Sequence, residues 1–318
     1  MRYDTTTAGT AAAGDDAART TKKTGGRRAT VCVSSEVGCA MACQFCATGT
    51  MGLLGDLTAG EIVEQLDWAA EVLRGGGQAG PRNVVFMGMG EPLNNWPAVR
   101  AATCMMTGPA RWALRRSAVT ISTVGVIPRL ADVARDLPGV SLALSLHAPT
   151  QEGRLKIVPS ARAYPLPKLM AALDAYQGVT GQKVFVEYVL LAGVNDSAED
   201  AAGLAALLGS PERASAGLHL NLIPWNPVLA AADADATPAD APAAPMKYTA
   251  PDPGAVELFA SAVRGAGVPV TVRAEKGQDI AGACGQLVVQ KGGGGCAGGA
   301  AGGGGDMEDL VPATPGVV

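Results

Sequence analysis

The sequence predicts a parallel α/β fold, a partial (β/α)6 TIM-like barrel, and three observations support this prediction. Short runs of β-branched residues alternate with amphipathic helical stretches over residues 30–290. Several of the strand runs are apolar on both faces, as expected of parallel strands covered by helices. About six strand–helix units follow one another, which favours a full or partial barrel over an open sheet.

Each element has its own signal in the sequence. The predicted strands cover residues 29–35, 83–87, 118–123, 140–146, 183–190, 218–223 and 268–273. The predicted helices cover residues 58–74, 97–106, 127–135, 166–177, 197–208 and 253–265. Capping-box spacing supports two helix starts, Thr58 with Glu61 and Ser197 with Asp200. Active sites of such barrels lie at the carboxyl ends of the strands, so residues there are the candidates for chemistry.

Composition separates a core domain from its flanking segments. Residues 1–28 have no sustained periodicity and are expected to form a mobile arm. Residues 29–290 are the predicted core domain, in which the Ala-, Asp- and Pro-rich stretch 229–252 is expected to be a flexible insertion. The Gly-rich tail 291–318 is expected to be disordered, and Cys296 within it has no surroundings that indicate a role.

The bulk composition excludes several classes of protein. At 318 residues and 48% hydrophobic, the chain can bury a sizeable core. No apolar run reaches the roughly 18–20 residues of a membrane span, and residues 1–30 lack the order of a secretory signal. Seven cysteines, an odd number, argue against a disulfide framework and for metal or catalytic use. We therefore expect no membrane partner and a reducing compartment.

The net charge of −4 means that any nucleic-acid contact must come from local basic clusters. One candidate cluster precedes the first strand and contains Arg19, Lys22, Lys23, Arg27 and Arg28. The other contains Arg111, Arg115 and Arg116. For either cluster alone, a solvated basic face is as good an interpretation as RNA contact.

Three cysteines, Cys39, Cys43 and Cys46, stand at spacings of four and three in a loop predicted to follow the first strand. This spacing lets three thiolates hold one 4Fe-4S cluster, because each bonds a different iron. The fourth iron is then free to bind the amino and carboxylate groups of S-adenosylmethionine. A zinc knuckle would need a fourth Cys or His nearby, and the two histidines of the chain lie far downstream. The triad therefore predicts a radical enzyme.

Small and polar residues follow the later strands. The segment 88–92, GMGEP, allows a ligand to approach the backbone closely, and its Glu91 carboxylate suits an ammonium group. Hydroxyl, imidazole and amide groups that suit a ribose and a purine end three further strands. They are Ser122 with Thr123, Ser145 with Leu146 and His147, and the segment 221–227. The structural alternatives are a tight turn at 88–92 and a buried, satisfied imidazole at His147.

Three other cysteines have distinct contexts. Cys284 lies in a loop of small residues, GQDIAGACGQL, where flanking glycines leave space around the sulfur. Cys32 lies on the first predicted strand, seven residues before the triad. Either could be a reacting thiol or an ordinary core cysteine. Cys104 lies on an apolar helical stretch and is expected in the core.

Together these segments resemble one family, the radical S-adenosylmethionine methylases of adenine in RNA, of the RlmN type. The matching blocks occur in the expected order over about residues 27–290. They read RRATVCVSSEVGCAMACQFCATGTMG, NVVFMGMGEPLNN, VTISTVGV, LALSLHAP, VFVEYVLLAGVND, NLIPWNP and GQDIAGACGQLV. Within this family, the chain resembles the plant or algal members. Spacing alone predicts a radical enzyme, whereas the RNA substrate comes from the resemblance.

The resemblance implies a specific reaction on carbon 2 of adenine, which is too electron-poor for ordinary methyl transfer. The counterpart of Cys284 is methylated by one S-adenosylmethionine, and a second, cleaved at the cluster, gives a radical that activates this methyl group. The counterpart of Cys32 then resolves the enzyme-linked adduct and leaves a disulfide with Cys284. The residues implied to bind S-adenosylmethionine are Gly90, Glu91, Ser122, Ser145, Leu146, His147 and Asn226.

The implied partners are large-subunit (23S-type) ribosomal RNA, with tRNA as a further candidate, and an electron donor such as flavodoxin or ferredoxin. A monomer in the cytoplasm is expected, with plastid or mitochondrion as the alternative location. The alternatives for function are a sibling enzyme that methylates another adenine carbon and an inactive, cluster-bearing RNA-binding protein.

One departure from the family pattern concerns the amino-terminal region. Family members carry a helical RNA-binding domain and a strand with a proton-accepting glutamate ahead of this region. The chain is therefore expected to be an N-terminally truncated member, with residues 1–28 as the remnant of the extension.

Overall fold

A seven-stranded parallel sheet forms the centre of the protein, in strand order β1-β4-β5-β6-β7-β8-β9. A computed structural model describes residues 29–210, 213, 217–227, 248–273 and 284–288. The strands are β1 (Thr30–Cys32), β4 (Asn83–Phe86), β5 (Val119–Thr123), β6 (Ser141–Ser145), β7 (Val184–Leu190), β8 (Leu218–Pro224) and β9 (Val270–Val272). Each of the seven lies within, or one residue beyond, a segment that the sequence predicts as a strand.

Helices connect these strands, as the periodicity predicts. They are α2 (Ala59–Gly75), α3 (Trp96–Thr107), α4 (Ile127–Asp136), α6 (Leu166–Thr180), α7 (Ala198–Leu208) and α8 (Pro253–Gly265). Both predicted capping boxes are present: the Thr58 hydroxyl accepts from Glu61 N, and the Ser197 hydroxyl accepts from Asp200 N. The apolar faces of the helices pack on one face of the sheet and form one continuous core with it. The α/β prediction is confirmed.

The sheet curls into a partial barrel. In a flat sheet β4 and β9 would lie five steps of about 4.8 Å apart, or about 24 Å. Instead Arg273 Nη1, just after β9, lies 3.7 Å from the sulfur of Met87, just after β4. Within the described residues β1 and β9 are not paired, so the barrel stays open on one side. This curvature brings the carboxyl ends of six strands, β4 to β9, around one chamber.

Smaller elements were not predicted from the sequence. A two-stranded antiparallel sheet of β2 (Glu36–Gly38) and β3 (Leu53–Asp56) flanks the cysteine loop, which therefore follows β2 rather than the first strand directly. Two short helices, α1 (Ala47–Thr50) and α5 (Gln151–Ile157), lie beside the chamber. These elements are three to seven residues long, too short for a clear periodicity.

Cys104 is exposed, and its predicted place in the core is wrong. The buried residues of α3 include Val99, Thr103 and Met106, which lie on one face of the helix. At 100° per residue, Cys104 turns toward solvent even though its neighbours are apolar.

Several predictions concern residues outside the described ranges. They are the mobile arm 1–28 with its basic cluster, most of the insertion 229–252, and the tail 291–318 with Cys296. Of the insertion, residues 248–252 are described, and Asp252 caps α8 by accepting from the N–H groups of Gly254 and Ala255. No helix in the described part of the chain combines the length and apolar character that a membrane span needs.

Candidate functional site

The three cysteines of the triad lie on a loop that the β2–β3 hairpin holds over the chamber. Gly38 ends β2 with φ of 75°, and Cys39 N donates to Gly52 O at 2.9 Å to close the base of the loop. Ala42 takes a left-handed conformation, φ 53°, and reverses the chain between the first two cysteines. Cys46 is the N-cap residue of α1. The thiols therefore come from one tightly turned segment.

Gly38→Ala is expected to disrupt this loop far more than Gly52→Ala does. Both glycines have positive φ, so either alanine costs about 1–2 kcal/mol of strain. A Cβ at Gly38 would also overlap the carbonyl oxygen of Gly52, whereas a Cβ at Gly52 meets nothing within 4 Å. Urea unfolding and iron content after reconstitution would measure the difference. Equal losses in the two variants would contradict a role for this close contact.

The triad fits a cluster held at the rim of the chamber. All three thiols line the same cavity as the strand ends. Burial raises the pKa of Cys39 to about 12, and the neighbouring Cys46 adds to that rise. Burial likewise raises the pKa of Cys43 and Cys46. Three neighbouring thiolates whose charges repel one another need a strongly cationic partner, and iron supplies that charge.

The positions of the three cysteines do not support a site for a single metal ion such as zinc. Among the residues that the structure describes, no three His, Cys, Asp or Glu side chains converge closely enough for one metal ion. The sulfurs of a cluster stand farther apart than those around one zinc ion, because each bonds a different iron. The donor set therefore fits a 4Fe-4S cluster.

The loop that carries Cys284 packs directly on the triad loop. Ala47 N donates to Gly285 O at 2.7 Å, and the Thr48 hydroxyl donates to Leu287 O at 2.6 Å. Asn226 Nδ2 donates to Cys284 O at 3.1 Å, so this predicted ligand-binding amide also fixes the Cys284 backbone. The Cys284 side chain lines the chamber together with the triad.

Cys32 lies at the end of β1, near Cys284. Burial raises the pKa of Cys32 to about 12, with a further rise from the negative charge that Cys284 would carry. Both are free thiols in this structure. The structure thus brings together the two thiols that the sequence separates by about 250 residues.

Glycines let the segment after β4 approach the backbone after β1. A Cβ at Gly88 would lie within 2.8 Å of the Ser34 backbone nitrogen, and Gly90 has φ of 98°. Met89 O accepts from Ser35 N at 2.9 Å, and Met89 N donates to the Ser34 hydroxyl at 2.9 Å. Gly90 lines the chamber, so its predicted role in binding a ligand matches its position.

Glu91 is buried and organises the chamber wall. Its carboxylate accepts from Leu93 N at 3.0 Å and from Val124 N at 2.8 Å, which ties the segment after β4 to the end of β5. Burial raises the pKa of Glu91 to about 7. The carboxylate lines the chamber, and a contact with the ammonium group of methionine, as predicted from the sequence, would restore its negative charge.

His147 follows β6 in a left-handed conformation, φ 63°, and its ring is buried against Phe45 at a centroid distance of 4.9 Å. Nδ1 accepts from Val189 N at 3.1 Å. Burial lowers the pKa of His147 to about 3, so the ring is neutral and Nε2 carries its proton. The ring thus has one satisfied nitrogen and one donor, and it lines the chamber.

His147 is expected to make the folded protein less stable as the pH is lowered. Between the ordinary pKa of about 6.5 and the folded value of about 3, the unfolded chain binds a proton that the folded protein does not. The free energy of unfolding should therefore decrease by up to about 1.4 kcal/mol per pH unit as pH falls through this range. His147→Gln should flatten the profile in urea titrations, whereas His219→Gln, at a less buried site, should leave most of the slope.

The remaining predicted ligand residues lie at the ends of β5 and β6. The hydroxyls of Ser122 and Ser145 are 3.3 Å apart, and both residues line the chamber. The Leu146 side chain lies in the main core instead, and its backbone N and O bind Glu187 O and Arg154 Nε. A contact of Leu146 with a ligand stays a prediction.

The chamber contains charged residues that the sequence analysis did not single out. Glu187 of β7 lies beside Arg273, with Oε2 and Nη1 3.4 Å apart and both side chains about 95% buried. Glu187 Oε1 accepts from Asn221 Nδ2 at 2.9 Å. A charged residue within an otherwise apolar strand, VFVEYVLL, was the available signal for Glu187. Arg154 of α5, also buried, had no comparable signal.

The basic cluster Arg111, Arg115 and Arg116 is not at the chamber. It precedes β5, at the amino ends of the strands, about 17 Å of strand away from Ser122 and Thr123. Arg111 pairs with Asp67 at 2.6 Å, and Arg116 donates to Pro138 O at 3.0 Å. RNA contact by this cluster stays a prediction, and it would occur at the edge of the sheet opposite the chamber.

Comparisons with known proteins agree with this geometry. The sequence model of the Radical SAM superfamily matches residues 33–205. A probable dual-specificity RNA methyltransferase RlmN from Moorella thermoacetica is 44% identical over 264 residues, which are 83% of this chain and 69% of that protein. The Frankia alni protein of the same description is 44% identical over 83% of this chain and 59% of its own length.

The comparison of folds points in the same direction. The crystal structure of a radical SAM methyltransferase from Sphaerobacter thermophilus matches with a TM-score of 0.72 and 41% identity, over 81% of this chain and 70% of that one. A curled parallel sheet with a three-cysteine loop at its carboxyl edge thus defines a radical SAM protein, which uses a 4Fe-4S cluster and S-adenosylmethionine. Within that superfamily, the chain belongs to the RlmN family. It spans 69% and 59% of the length of the two curated relatives described above.

Proposed function

We propose that the protein is a radical SAM methyltransferase that makes 2-methyladenine in large-subunit (23S-type) ribosomal RNA, with tRNA as a second substrate. The observation that carries this proposal is the packing of the Cys284 loop on the triad loop, through the Ala47–Gly285 and Thr48–Leu287 hydrogen bonds. It places a free thiol in the same chamber as the cluster ligands. The names of the relatives, dual-specificity RNA methyltransferases, support RNA as the substrate.

The residues of the chamber have separate tasks in this proposal. When bound, the cluster and S-adenosylmethionine supply the one-electron chemistry that an electron-poor ring carbon needs. Cys39, Cys43 and Cys46 hold the cluster, and Cys284 carries the methyl group as a thioether. Glu91, His147 and the two serine hydroxyls bind and orient S-adenosylmethionine at the strand ends. The buried walls exclude water from the reacting groups.

Positive side chains on the chamber side of the fold support RNA access. Arg162 and Lys168 follow β6 and begin α6, so they lie at the carboxyl end of the sheet. Both are exposed, and in the described part of the chain neither forms a salt bridge. They can neutralise phosphates while a target base enters the chamber, at an unstacking cost of a few kcal/mol.

A charge-reversal experiment tests this surface. Arg162→Glu with Lys168→Glu should weaken RNA binding at least tenfold and reduce its salt dependence, because phosphate contacts are lost. Arg115→Glu with Arg116→Glu makes the same change of charge at the opposite edge and serves as the matched control. Equal weakening by both pairs in filter-binding assays would contradict the proposed side of approach.

Product analysis tests the reaction itself. Anaerobically reconstituted protein, with dithionite, S-adenosylmethionine and unmodified 23S-type RNA, should release 5′-deoxyadenosine and yield 2-methyladenosine on nucleoside mass spectrometry. Methylation at a different adenine carbon would support the sibling enzyme instead. Release of neither product, with the cluster intact, would support the inactive RNA-binding alternative.

The partners and location follow from the same proposal. A small electron-transfer protein such as flavodoxin or ferredoxin would deliver electrons to the cluster, and a monomer in the cytoplasm would suffice for the reaction. Replacing dithionite by reduced flavodoxin in the assay above should sustain 5′-deoxyadenosine release.

A further inference from the structure

We propose that Arg154 is a positioning residue for the cluster: its buried guanidinium holds a fixed positive charge near the cluster ligand Cys43 and makes the cluster easier to reduce. This inference rests on the cluster assignment of the proposed function and extends it to a residue outside the triad. It follows from the burial of Arg154, its fixed orientation, one unused donor group and the packing of α5 against the triad loop.

Arg154 is buried in a way that few arginines are. Its side chain is 1% exposed, although arginine is seldom buried without a partner. Nε donates to Leu146 O at 2.9 Å, and Nη2 donates to Val124 O at 2.6 Å and Ser145 O at 3.1 Å. These carbonyl bonds fix the plane of the guanidinium but supply no negative charge.

One end of the guanidinium has no partner. Nη1 is buried and makes no hydrogen bond within the described residues. No carboxylate pairs with Arg154 in the same part of the chain. Leaving a charged donor buried and unsatisfied costs a few kcal/mol, so the position indicates an acceptor that the protein chain itself does not provide.

The cluster that Cys43 would help to hold can supply the missing negative charge. The triad loop packs on α5, where Gln44 N donates to Ile157 O at 2.9 Å. Cys43 itself packs against the small apolar cluster that contains Ile157 and Val158. Arg154 and Cys43 lie close enough for their charges to interact. Burial lowers the pKa of Arg154 to about 10, which still leaves it charged at neutral pH.

A fixed positive charge beside a cluster sulfur has a defined physical effect. Reduction adds one negative charge to the cluster, and a nearby cation stabilises that charge. The potential of the cluster should therefore be higher with Arg154 than without it. A higher potential favours transfer of an electron to the cluster, which has to occur before S-adenosylmethionine is cleaved.

The test is the midpoint potential of the reconstituted cluster, followed by EPR during an anaerobic redox titration. Arg154→Met should disfavour reduction about tenfold, which is a fall of about 59 mV for one electron. Arg154→Lys keeps the charge but cannot bind the three carbonyls in the same way, so its charge is less well fixed and an intermediate fall is expected. If Arg154→Met does not fold, the midpoint potential of Arg154→Lys tests the inference in its place.

The matched control is Lys156→Met, two residues along the same helix. It removes the same charge from an exposed side chain and should leave the potential unchanged. A potential equal to that of the control, in whichever Arg154 variant holds a full cluster, would overturn the inference. A wild-type protein that assembles no cluster would instead overturn the cluster assignment, so the two failures are distinguishable.

Discussion

Cys43→Ala is expected to abolish cluster binding and, with it, all release of 5′-deoxyadenosine. The three thiols of the triad are the proposed cluster ligands, and the loop that holds them offers no further cysteine. Loss of an outer-shell partner of a metal ligand already costs about 10–100-fold. Loss of a ligand itself should therefore reduce activity by more than about 100-fold. Iron and sulfide content, EPR and product release would measure this effect.

Cys104→Ala is the control for this experiment. It removes a thiol from the exposed face of α3 and should leave iron content and activity as in the wild type. Stoichiometric zinc in the wild-type protein, or an intact 4Fe-4S cluster in Cys43→Ala, would contradict the cluster assignment.

The regular elements were predictable because their signals are local. β-branched runs marked all seven strands of the main sheet, and Thr58 and Ser197 marked helix starts through their own side-chain oxygens. The number of strand–helix units indicated a barrel, but its degree of closure depends on contacts between distant segments. The Arg273–Met87 contact joins residues 186 positions apart, and periodicity carries no information about it.

The candidate site was predictable where chemistry fixes the spacing and not where tertiary packing decides. Three thiolates on one short loop identify a cluster from the sequence alone. The edge of the sheet at which Arg115 and Arg116 lie depends on the direction of the strand that follows them. The composition of this basic segment does not show that direction. The buried position of Arg154 likewise depends on carbonyls at the ends of two strands, Val124 and Ser145, that sequence separates from it.

The second large effect concerns Cys32. Cys32→Ala is expected to trap a covalent complex between the protein and its RNA and to lower methylated product by more than about 100-fold. In the proposed reaction the transferred carbon joins the Cys284 sulfur to the adenine ring. Release requires a Cys32–Cys284 sulfur–sulfur bond to form while the bond between the Cys284 sulfur and that carbon breaks; the Cys32 thiol loses a proton and the carbon takes one up to become a methyl group. An external reductant then restores both thiols.

The structure supports Cys32 as the resolving thiol. It lies close enough to Cys284 for the charges of the two sulfurs to interact, and burial raises its pKa to about 12. Burial therefore keeps Cys32 protonated at rest and protects it from premature oxidation. The positive charge of Arg273 acts in the opposite direction and favours the thiolate when it is needed.

Denaturing gels and mass spectrometry of the Cys284 peptide would detect the complex. A nucleotide attached to that peptide in Cys32→Ala, and absent in the Cys32→Ala, Cys284→Ala double variant, is the expected result. Cys104→Ala should form no complex and should keep full turnover, because its thiol faces solvent. Normal turnover of Cys32→Ala without any RNA adduct would show that resolution does not use this thiol, even though the structure places it beside Cys284.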